Sequence, residues 1–595
     1  MNSPVTQTIE AHKVSATRRK NLVSSISCGA ILALCVLLVY PVAELATNDD
    51  WSYAKTAQIF ANTGHFAYNG WATAMLGWQV IWGALFIKLF GFSFLILRVS
   101  TVLTGIASAF LLHRILLRFG VNSRNAVLGT LIVVLSPLFL PLTVSFLTDI
   151  PSILCILLCL YGCQRALTAE SDREALLWLC GSAGLNVLDG TVRQIAWLGA
   201  LVMVPSAFWL LRRRPRFPMI GAMVWLLSAI GIFLFMRWFQ HQPYSLPEHL
   251  IRGPVNGRAL RNIAKAIVYV PLDVALFSLP ILIVWLPCLS DLRRSTRAKL
   301  LLVAACTTPA LIWLDRIEKL KGYLPPWVPN IVSKAGILGS MPIMGEEPEI
   351  LGKGLRFILA IVLAASTIGW AISFFSIRGG PVLWRRSADG ALGMRETLVM
   401  LVPFSMAYLA LLLPRAAFPS AFSNIYDRYF VPLIVMSVIL LLRLYQDQVG
   451  ENLPLSCYAT LFLFTFFSVA GTHDVFTGYR AILRTVDELK ASHIPGSSIS
   501  AGWEYDSWNQ LEAQGYVNDD RLVNPPGSYH AMQHPLFESC DYVFGTLSPA
   551  VHPRFVLVTR PVECLAPSTF PPVPYKTWLP PYERMVYVQR NPLEP

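Results

Sequence analysis

The chain has 595 residues, of which 54% are hydrophobic and only 14% are charged. Soluble globular proteins carry roughly 25% charged residues, so the composition excludes an ordinary water-soluble protein and indicates a polytopic membrane protein. The formal net charge of +13 does not indicate nucleic-acid binding, because the basic residues lie in short clusters between apolar runs, as the positive-inside rule expects of cytoplasmic loops.

The first apolar run, LVSSISCGAILALCVLLVYPVAEL, follows the basic segment KVSATRRK. The run is long enough to cross a bilayer as a helix, and the basic segment predicts a cytoplasmic N-terminus. The run would therefore deliver the sequence TNDDWSYAK, with Asp49 and Asp50, to the extracytoplasmic face. Carboxylates at a membrane edge are functional candidates. The alternative is that the two residues only cap the short helix that follows them.

The next apolar block, from Trp78 to Phe90, is too short to span and predicts an interfacial helix in a first outer loop of about residues 46–93. With this block outside, the later basic clusters all lie on the cytoplasmic side. The further candidate spans begin near Phe94, Ala126, Ile150, Ala175, Ala196, Ile220, Ala264, Leu300, Leu355, Thr397, Phe430 and Pro454. Together with the first run they make about 13 spans, which places the C-terminus outside.

The composition changes after Gly471, and the sequence beyond it predicts a compact α/β domain outside the membrane. An amphipathic helix pattern, a Pro-Gly turn and a strand pattern follow one another, and RFVLVTR and RMVYVQR are later strand patterns. The predicted domains are a transmembrane domain, residues 1–471, and an extracytoplasmic domain, residues 472–595. Cys540 and Cys564 are the cysteines of the second domain, and an oxidising compartment favours a disulfide between them.

The sequence has no cysteine or histidine spacing typical of a zinc site, no Walker loop and no dinucleotide-binding glycine pattern. Nucleotide-driven chemistry and a zinc site of cysteines and histidines therefore have no support. The remaining candidates are ionisable residues near the predicted outer ends of the spans. Asp149 in SFLTDIPS could cap its helix, with Thr148 and Pro151 beside it, or could take part in a site at that face.

Two arginines near the same face also have both a structural and a functional interpretation. Arg193 could pair with Asp189, four residues earlier, and Arg428 could pair with its neighbour Asp427. Alternatively, both arginines, with Arg258 in an outer loop, could bind a lipid-linked phosphate. For Arg258, attraction to anionic lipid headgroups is the other explanation.

The residues around these candidates resemble the GT-C superfamily of polytopic glycosyltransferases. The similarity is to its glycosyltransferase family 39-like branch, which includes protein O-mannosyltransferases and the lipid A aminoarabinose transferase. NDDWSYAKTAQIF is similar to the first-loop pattern D-[DE]-x-x-Y-A, and GFSFLILRVSTVL and SFLTDIPSILCILLCLYG to the starts of two spans. RQIAWLGALVMVPSAF and YDRYFVPLIV carry weaker similarity. One departure is YNGWATAMLGWQV, where many relatives have Lys-Pro-Pro or a similar basic stretch; Lys88 lies nearby, outside that pattern.

The resemblance implies a mostly α, GT-C-like membrane bundle with interfacial helices, in a cell inner membrane. It implies transfer of a sugar from a polyprenyl-phosphate donor to a lipid, glycan or protein hydroxyl on the extracytoplasmic face. Asp49 would be the general base, supported by Asp50 and Asp149. The donor phosphate would bind Arg193, Arg258, Arg428 and Lys88. No cofactor is required, although paired carboxylates would suit a divalent cation. The alternative is a transporter, flippase or binding protein for lipid-linked sugars.

Overall fold

The computed structural model of the protein describes most of the chain. The described residues are 4–247, 256–294, 324–338, 343, 345, 348–376, 391–417, 425–517, 533–535, 543–545 and 553–592. Helices make up most of them, and the longer strands lie toward the C-terminus. The prediction of a mostly α membrane protein is therefore confirmed.

The helices follow one another as α1 Pro4–Val39, α2 Asp50–Thr63, α3 Gly77–Phe90, α4 Phe94–Arg118, α5 Ser123–Val134, α6 Phe139–Thr143, α7 Asp149–Leu167, α8 Asp172–Asp189, α9 Val204–Leu210, α10 Phe217–Gln240, α11 Gly257–Phe277, α12 Leu279–Leu282, α13 Lys353–Ser376, α14 Met394–Leu412, α15 Val431–Gln448, α16 Leu455–Ala491 and α17 Trp503–Gln514. Short 3-10 segments lie at Gly190–Val192, Gln194–Trp197, Ile283–Arg294, Leu413–Ala417, Asp427–Phe430 and Gly496–Ser498, and a π-helical turn lies at Gly199–Met203.

Within the described ranges, nine helical segments are long and apolar enough to cross a membrane, or ten if the bent pair Gly257–Phe277 and Leu279–Leu289 counts as one span. The predicted count of about 13 spans is not confirmed. The spans predicted near Ala126 and Ala196 are shorter apolar helices, Ser123–Val134 and Gln194–Leu210. α5 ends early because prolines follow it in SPLFLP, and proline cannot donate a helical hydrogen bond. The span predicted near Leu300 lies outside the described residues for most of its length.

Helix α3 has the short length predicted for an interfacial helix. Its 14 residues extend about 21 Å, less than the thickness of roughly 30 Å of a bilayer's hydrocarbon core. One face of α3 packs on α2 and α4, while Ile81, Leu85 and Leu89 are exposed on the other. An apolar outer face on a helix too short to span suits a position along the membrane surface.

The C-terminal region contains a small mixed sheet. Its central strand β9, Glu583–Arg590, is antiparallel to three strands, which are β6 Phe555–Val558, β7 Ala566–Pro567 and β8 Val573–Lys576. β3, Ile499–Ser500, pairs with β6 in parallel. The strands predicted in RFVLVTR and RMVYVQR are thus confirmed as β6 and β9. Two separate antiparallel pairs are formed by β1 Val332–Ser333 with β2 Gly336–Ile337, and by β4 Gln533–Pro535 with β5 Val543–Gly545.

The long helix α16 connects the membrane bundle to this sheet. With 37 residues it is about 55 Å long, which is more than a hydrocarbon core of about 30 Å requires. The helix continues without a break through residue 471, where the composition changes. Beyond that point Asp474 accepts hydrogen bonds from the backbone N–H groups of Trp578 (2.7 Å) and Leu579 (2.9 Å), and the His473 ring stacks on Trp578 with centroids 4.1 Å apart.

Helix α17 attaches the C-terminal region to the first loop. Its Glu512 forms an ion pair of 2.5 Å with Lys55 of α2, whose ammonium also lies 5.3 Å from the centroid of the Trp508 ring. Trp508 in turn stacks on Phe92, with centroids 5.2 Å apart. The C-terminal region therefore contacts the membrane bundle on two sides, at α16 and at α2.

Replacing Asp474 with alanine tests the attachment at α16. The N–H groups of Trp578 and Leu579 would lose a charged acceptor, so the free energy of unfolding should fall by about 2–4 kcal/mol. Thermal and denaturant unfolding of the detergent-solubilised protein would measure the change. Asp487→Ala is the matched control, because Asp487 is exposed on the same helix. Equal stability of the two variants would contradict the role of Asp474.

The predicted disulfide falls partly outside the described residues. Cys564 is disulfide-bonded, whereas Cys540, its predicted partner, is not among the described residues. We expect mass spectrometry of the unreduced protein to find a peptide pair joined through Cys540 and Cys564. Closing a loop of this size typically adds about 3 kcal/mol of stability. Two free thiols at these positions, or a different partner for Cys564, would contradict the pairing.

Candidate active site

The turn Thr47–Asp50, between α1 and α2, is held by its own side chains and by distant ones. Asn48 has a left-handed backbone with φ of 58°, and its side-chain oxygen accepts the Asp49 N–H (2.9 Å). The carboxylate of Asp50 accepts the N–H groups of Thr47 (2.7 Å) and of Phe146, 96 residues away (3.0 Å). Asp50 thus connects the first loop to the chain just before α7.

Asp50 is fully enclosed, and its role in the described structure is to bind backbone. Burial raises the pKa of Asp50 to about 6, against the opposing effects of Arg98 and of the two N–H groups. Arg98 of α4 is also buried, and donates to the carbonyl oxygens of Pro41 (3.4 Å) and Ala43 (2.5 Å) and to that of Leu45. Arg98 and Asp50 therefore fix the two ends of the segment that leads to Asp49.

Asp49 points away from Asp50 and pairs with an arginine from the other end of the sequence. Its Oδ2 lies 2.9 Å from Nη2 of Arg428, and its Oδ1 accepts the indole N–H of Trp71 (3.1 Å). The Asp49 side chain is 16% exposed and that of Arg428 is 9% exposed. Asp49 occupies the N-cap position of α2, but its side chain makes no capping hydrogen bond. The purely capping interpretation of Asp49 is therefore wrong.

A second ion pair joins Asp149 and Arg193. Asp149 is the first residue of α7, and Arg193 has an extended backbone between two 3-10 segments, with its guanidinium bonded to Asp149. The guanidinium carbon of Arg193 also lies 4.5 Å from the centroid of the Tyr429 ring. The cation is thus held between a carboxylate and an aromatic face, which stabilises its charge in a mostly buried position.

The two ion pairs are neighbours, because the guanidinium carbons of Arg193 and Arg428 lie 4.5 Å and 5.7 Å from the centroid of the same Tyr429 ring. Tyr53 is buried, and its hydroxyl interacts electrostatically with Asp49, Arg428, Arg193 and Asp149. Burial holds the pKa of Tyr53 far above its ordinary value, so the hydroxyl remains protonated and can donate a hydrogen bond. These five residues, Asp49, Tyr53, Asp149, Arg193 and Arg428, are called the charged cluster below. The cluster brings together four parts of the chain that are widely separated in sequence.

The local pairings considered from the sequence do not form. Arg193 pairs with Asp149 rather than with Asp189, and Arg428 pairs with Asp49 rather than with Asp427. Asp427 instead accepts the N–H groups of Ile331 (2.9 Å) and Val332 (2.7 Å). For Asp189 and Arg193 the reason is backbone geometry. A 3-10 break and the extended backbone of Arg193 interrupt the helix on which a pair four residues apart would have to form.

Two of the predicted phosphate ligands lie apart from the charged cluster. Lys88 is exposed in the last turn of α3, and Arg258 is exposed in the first turn of α11. Within the part of the chain that the structure describes, neither forms a hydrogen bond or an ion pair with a cluster residue. The sequence placed both residues at the outer face but gave no information on their distance from Asp49.

Several residues at the site were not predicted as functional. Tyr53 belongs to the D-[DE]-x-x-Y-A pattern, so its position was a usable signal. Trp71 and Tyr429 bring the aromatic contacts of the site, and Arg415 lies over the Tyr429 ring at 5.0 Å. Tyr429 lies in the segment YDRYFVPLIV, whose weaker similarity was a usable signal, whereas Trp71 had none, because aromatic residues are frequent throughout this apolar sequence.

The donor set was also compared with the needs of a metal ion. Among the described residues no group of three or more His, Cys, Asp and Glu side chains could hold one. The two carboxylates of the charged cluster are each bound to an arginine. The charged cluster, as it stands, therefore has no set of ligands for a metal ion.

Comparison with known proteins bears on the part of the chain that contains Asp149 and Arg193. Residues 75–239, from just before α3 to near the end of α10, match the family model described as dolichyl-phosphate-mannose-protein mannosyltransferase. The predicted GT-C resemblance is confirmed. The match supports glycosyltransferase activity in general terms, in a chain whose apolar helices make it a multi-pass membrane protein. A search of curated proteins finds no match.

The solved structures to which this chain is similar include three transferases. ArnT from Cupriavidus metallidurans bound to undecaprenyl phosphate is 13% identical, with 94% of this chain and 96% of that chain covered and a TM-score of 0.41. The Archaeoglobus fulgidus oligosaccharyltransferase in its apo form is 13% identical, with 84% and 61% covered and a TM-score of 0.39. The S. cerevisiae protein O-mannosyltransferase Pmt1-Pmt2 complex bound to the sugar donor is 12% identical, with 37% and 33% covered and a TM-score of 0.30.

The variant Asp50→Asn tests the structural role of Asp50. Asparagine has one acceptor oxygen, so the N–H of either Thr47 or Phe146 would lose its partner, and the free energy of unfolding should fall by about 1–3 kcal/mol. Unfolding measurements in detergent would detect this. Asp172→Asn, at a side chain that is 57% exposed, is the control and should change stability little. Unchanged stability of Asp50→Asn together with lost activity would show instead that Asp50 acts in the chemistry.

Proposed function

We propose that the protein is an integral membrane glycosyltransferase that moves a sugar from a polyprenyl-phosphate donor to an acceptor hydroxyl on the extracytoplasmic face. The observation that carries the proposal is the charged cluster, in which two carboxylates and two arginines from distant segments meet around a buried tyrosine. The family match supports it, because the matched residues include Asp149 and Arg193 and the family's described donor is a dolichyl phosphate.

In this scheme Asp49 is the general base. The acceptor oxygen attacks C1 of the sugar, the bond between C1 and the phosphate oxygen breaks, and the hydroxyl proton passes to Asp49. A hydroxyl is a weak nucleophile, so a positioned carboxylate accelerates such a step. The Trp71 indole N–H donates a hydrogen bond to one oxygen of Asp49 (3.1 Å), and this bond fixes the orientation of the carboxylate.

The arginines stabilise the leaving group. The lipid phosphate keeps the electron pair of the broken bond and gains negative charge, for which guanidinium groups are strong charge-assisted donors. Arg428 takes part in both base and phosphate binding, because it forms an ion pair with Asp49 before the donor arrives. When the donor phosphate binds Arg428, the Asp49 carboxylate is released from its ion pair and can accept the proton. Asp149 is a positioning residue that holds Arg193 in place.

The setting in a membrane fits a donor with a prenyl tail. Such a tail stays in the hydrocarbon region, so its phosphate can be reached only by a site at the membrane edge. Asp149 and Arg428 lie at or next to the ends of candidate spans, Asp149–Leu167 and Asp427–Gln448. A transporter or flippase for lipid-linked sugars would use the same charges for binding, without a bond change, and is the alternative that the assay must distinguish.

Purified protein incubated with labelled polyprenyl-phosphate sugars and cell-envelope acceptors should produce a glycosylated acceptor and free lipid phosphate. Asp49→Asn keeps the size of the side chain but cannot accept the proton, so turnover should fall by roughly a hundredfold or more. Asp172→Asn, at the exposed Arg214 pair, is the control and should retain turnover. Movement of the sugar lipid across liposomes without any transfer would contradict the enzyme and favour the transporter. Near-normal transfer by Asp49→Asn would remove Asp49 from the role of base.

A further inference from the structure

Glu504, at the start of α17, reaches from the outer domain into the turn that carries Asp49. Its Oε1 accepts the backbone N–H of Asn48 at 3.1 Å. The residue is only 6% exposed, and its Oε2 is buried with no hydrogen-bond partner among the residues that the structure describes. Asn48 has the left-handed backbone of the turn, so this contact holds the residue whose conformation sets the direction of Asp49.

A second contact from α17 reaches the other partner of Asp49. The ring of Trp503 lies 5.0 Å from that of Trp71 and 6.2 Å from that of Trp51, centroid to centroid, in edge-on arrangements. Trp71 is the residue whose indole N–H donates to Asp49. Two successive residues of α17 therefore support Asp49, one through the backbone before it and one through its hydrogen-bond donor.

We infer that Glu504 is a positioning residue for Asp49, so that the outer domain completes the active site of the membrane domain instead of only covering it. The inference rests on the proposed function, because positioning matters only if Asp49 takes part in the reaction. The physical reason is the small tolerance of a proton transfer: a displacement of about 1 Å can reduce a rate by about a hundredfold.

The charge state of Glu504 fits this role. Burial raises the pKa of Glu504 to about 8, and the nearby Asp50 and Asp49 act in the same direction. Near pH 7 the side chain is therefore mostly protonated and neutral. It accepts the Asn48 N–H without adding a third negative charge beside Asp49 and Asp50. Glutamine is the neutral isostere of this state and keeps the acceptor oxygen.

Steady-state kinetics of Glu504→Ala, Glu504→Gln and Glu488→Gln test the inference. Loss of the acceptor in Glu504→Ala should lower kcat about tenfold or more with little change in the KM for the donor, because the arginines are untouched. Glu504→Gln should stay within about threefold of the wild-type kcat, since a neutral hydrogen bond is retained. Glu488→Gln is the matched control, because it makes the same change at an exposed glutamate near the end of α16. A wild-type kcat per folded molecule in Glu504→Ala overturns the inference, even if its Tm falls.

A second measurement does not depend on activity. In Asp49→Cys, the rate at which a water-soluble thiosulfonate labels the thiol reports the orientation of the side chain. Adding Glu504→Ala should change this rate severalfold, whereas adding Glu488→Gln should not. If Glu504→Ala fails to fold, Trp503→Leu removes the contact with Trp71 and should change the same rate. An unchanged rate overturns the inference, whereas absence of transfer by the wild type, with a changed rate, overturns only the proposed function.

Discussion

The position of Asp49 depends on the complete hydrogen bonding of a four-residue turn next to a membrane. In a low-dielectric setting an unpaired backbone N–H costs about 1–3 kcal/mol, so the turn is stable only while each N–H has an acceptor. Asp50, Glu504 and the Asn48 side chain supply these acceptors, and Arg98 binds the carbonyl groups just before the turn. The donors and acceptors come from α4, α17 and the segment before α7, so the site exists only in the assembled fold.

Buried aspartates bind pairs of N–H groups elsewhere in the structure as well. Asp427 binds Ile331 and Val332, Asp273 binds Trp327 and Val328, and Asp474 binds Trp578 and Leu579. Each carboxylate fixes an irregular loop onto a helix or its end, in a region where water is scarce. An acidic residue near the end of a span is thus often a loop anchor in this protein. Asp49 and Asp149 differ from these three aspartates, because each forms an ion pair with an arginine.

The sequence predicted those features that depend on local pattern. Apolar runs predicted most of the long helices, the shortness of the block from Trp78 to Phe90 predicted α3, and alternation predicted β6 and β9. The first-loop pattern, Asp149, Arg193 and Arg428 were recognised as candidates for one site. Their partners were not predictable, because the Asp49–Arg428 pair joins residues 379 positions apart and helical periodicity relates only neighbours. The hydrogen bond between Glu504 and Asn48 was not predictable for the same reason. Two predicted spans, near Ala126 and Ala196, are shorter helices in the structure, because apolar composition does not show where prolines and 3-10 turns shorten a helix.

The length of α16 has a consequence for how the protein responds to its lipid environment. A helix in a thinner or thicker bilayer adjusts mainly by tilting. α16 is continuous from its start at Leu455 to Ala491, it contacts α1, and Arg480 binds the carbonyl of Tyr40 at the end of α1. We therefore expect α1, α16 and the C-terminal region that packs on α16 to tilt as one body, together with the first loop. Variation in bilayer thickness should change the angle of this body to the membrane far more than the distance between Glu504 and Asn48.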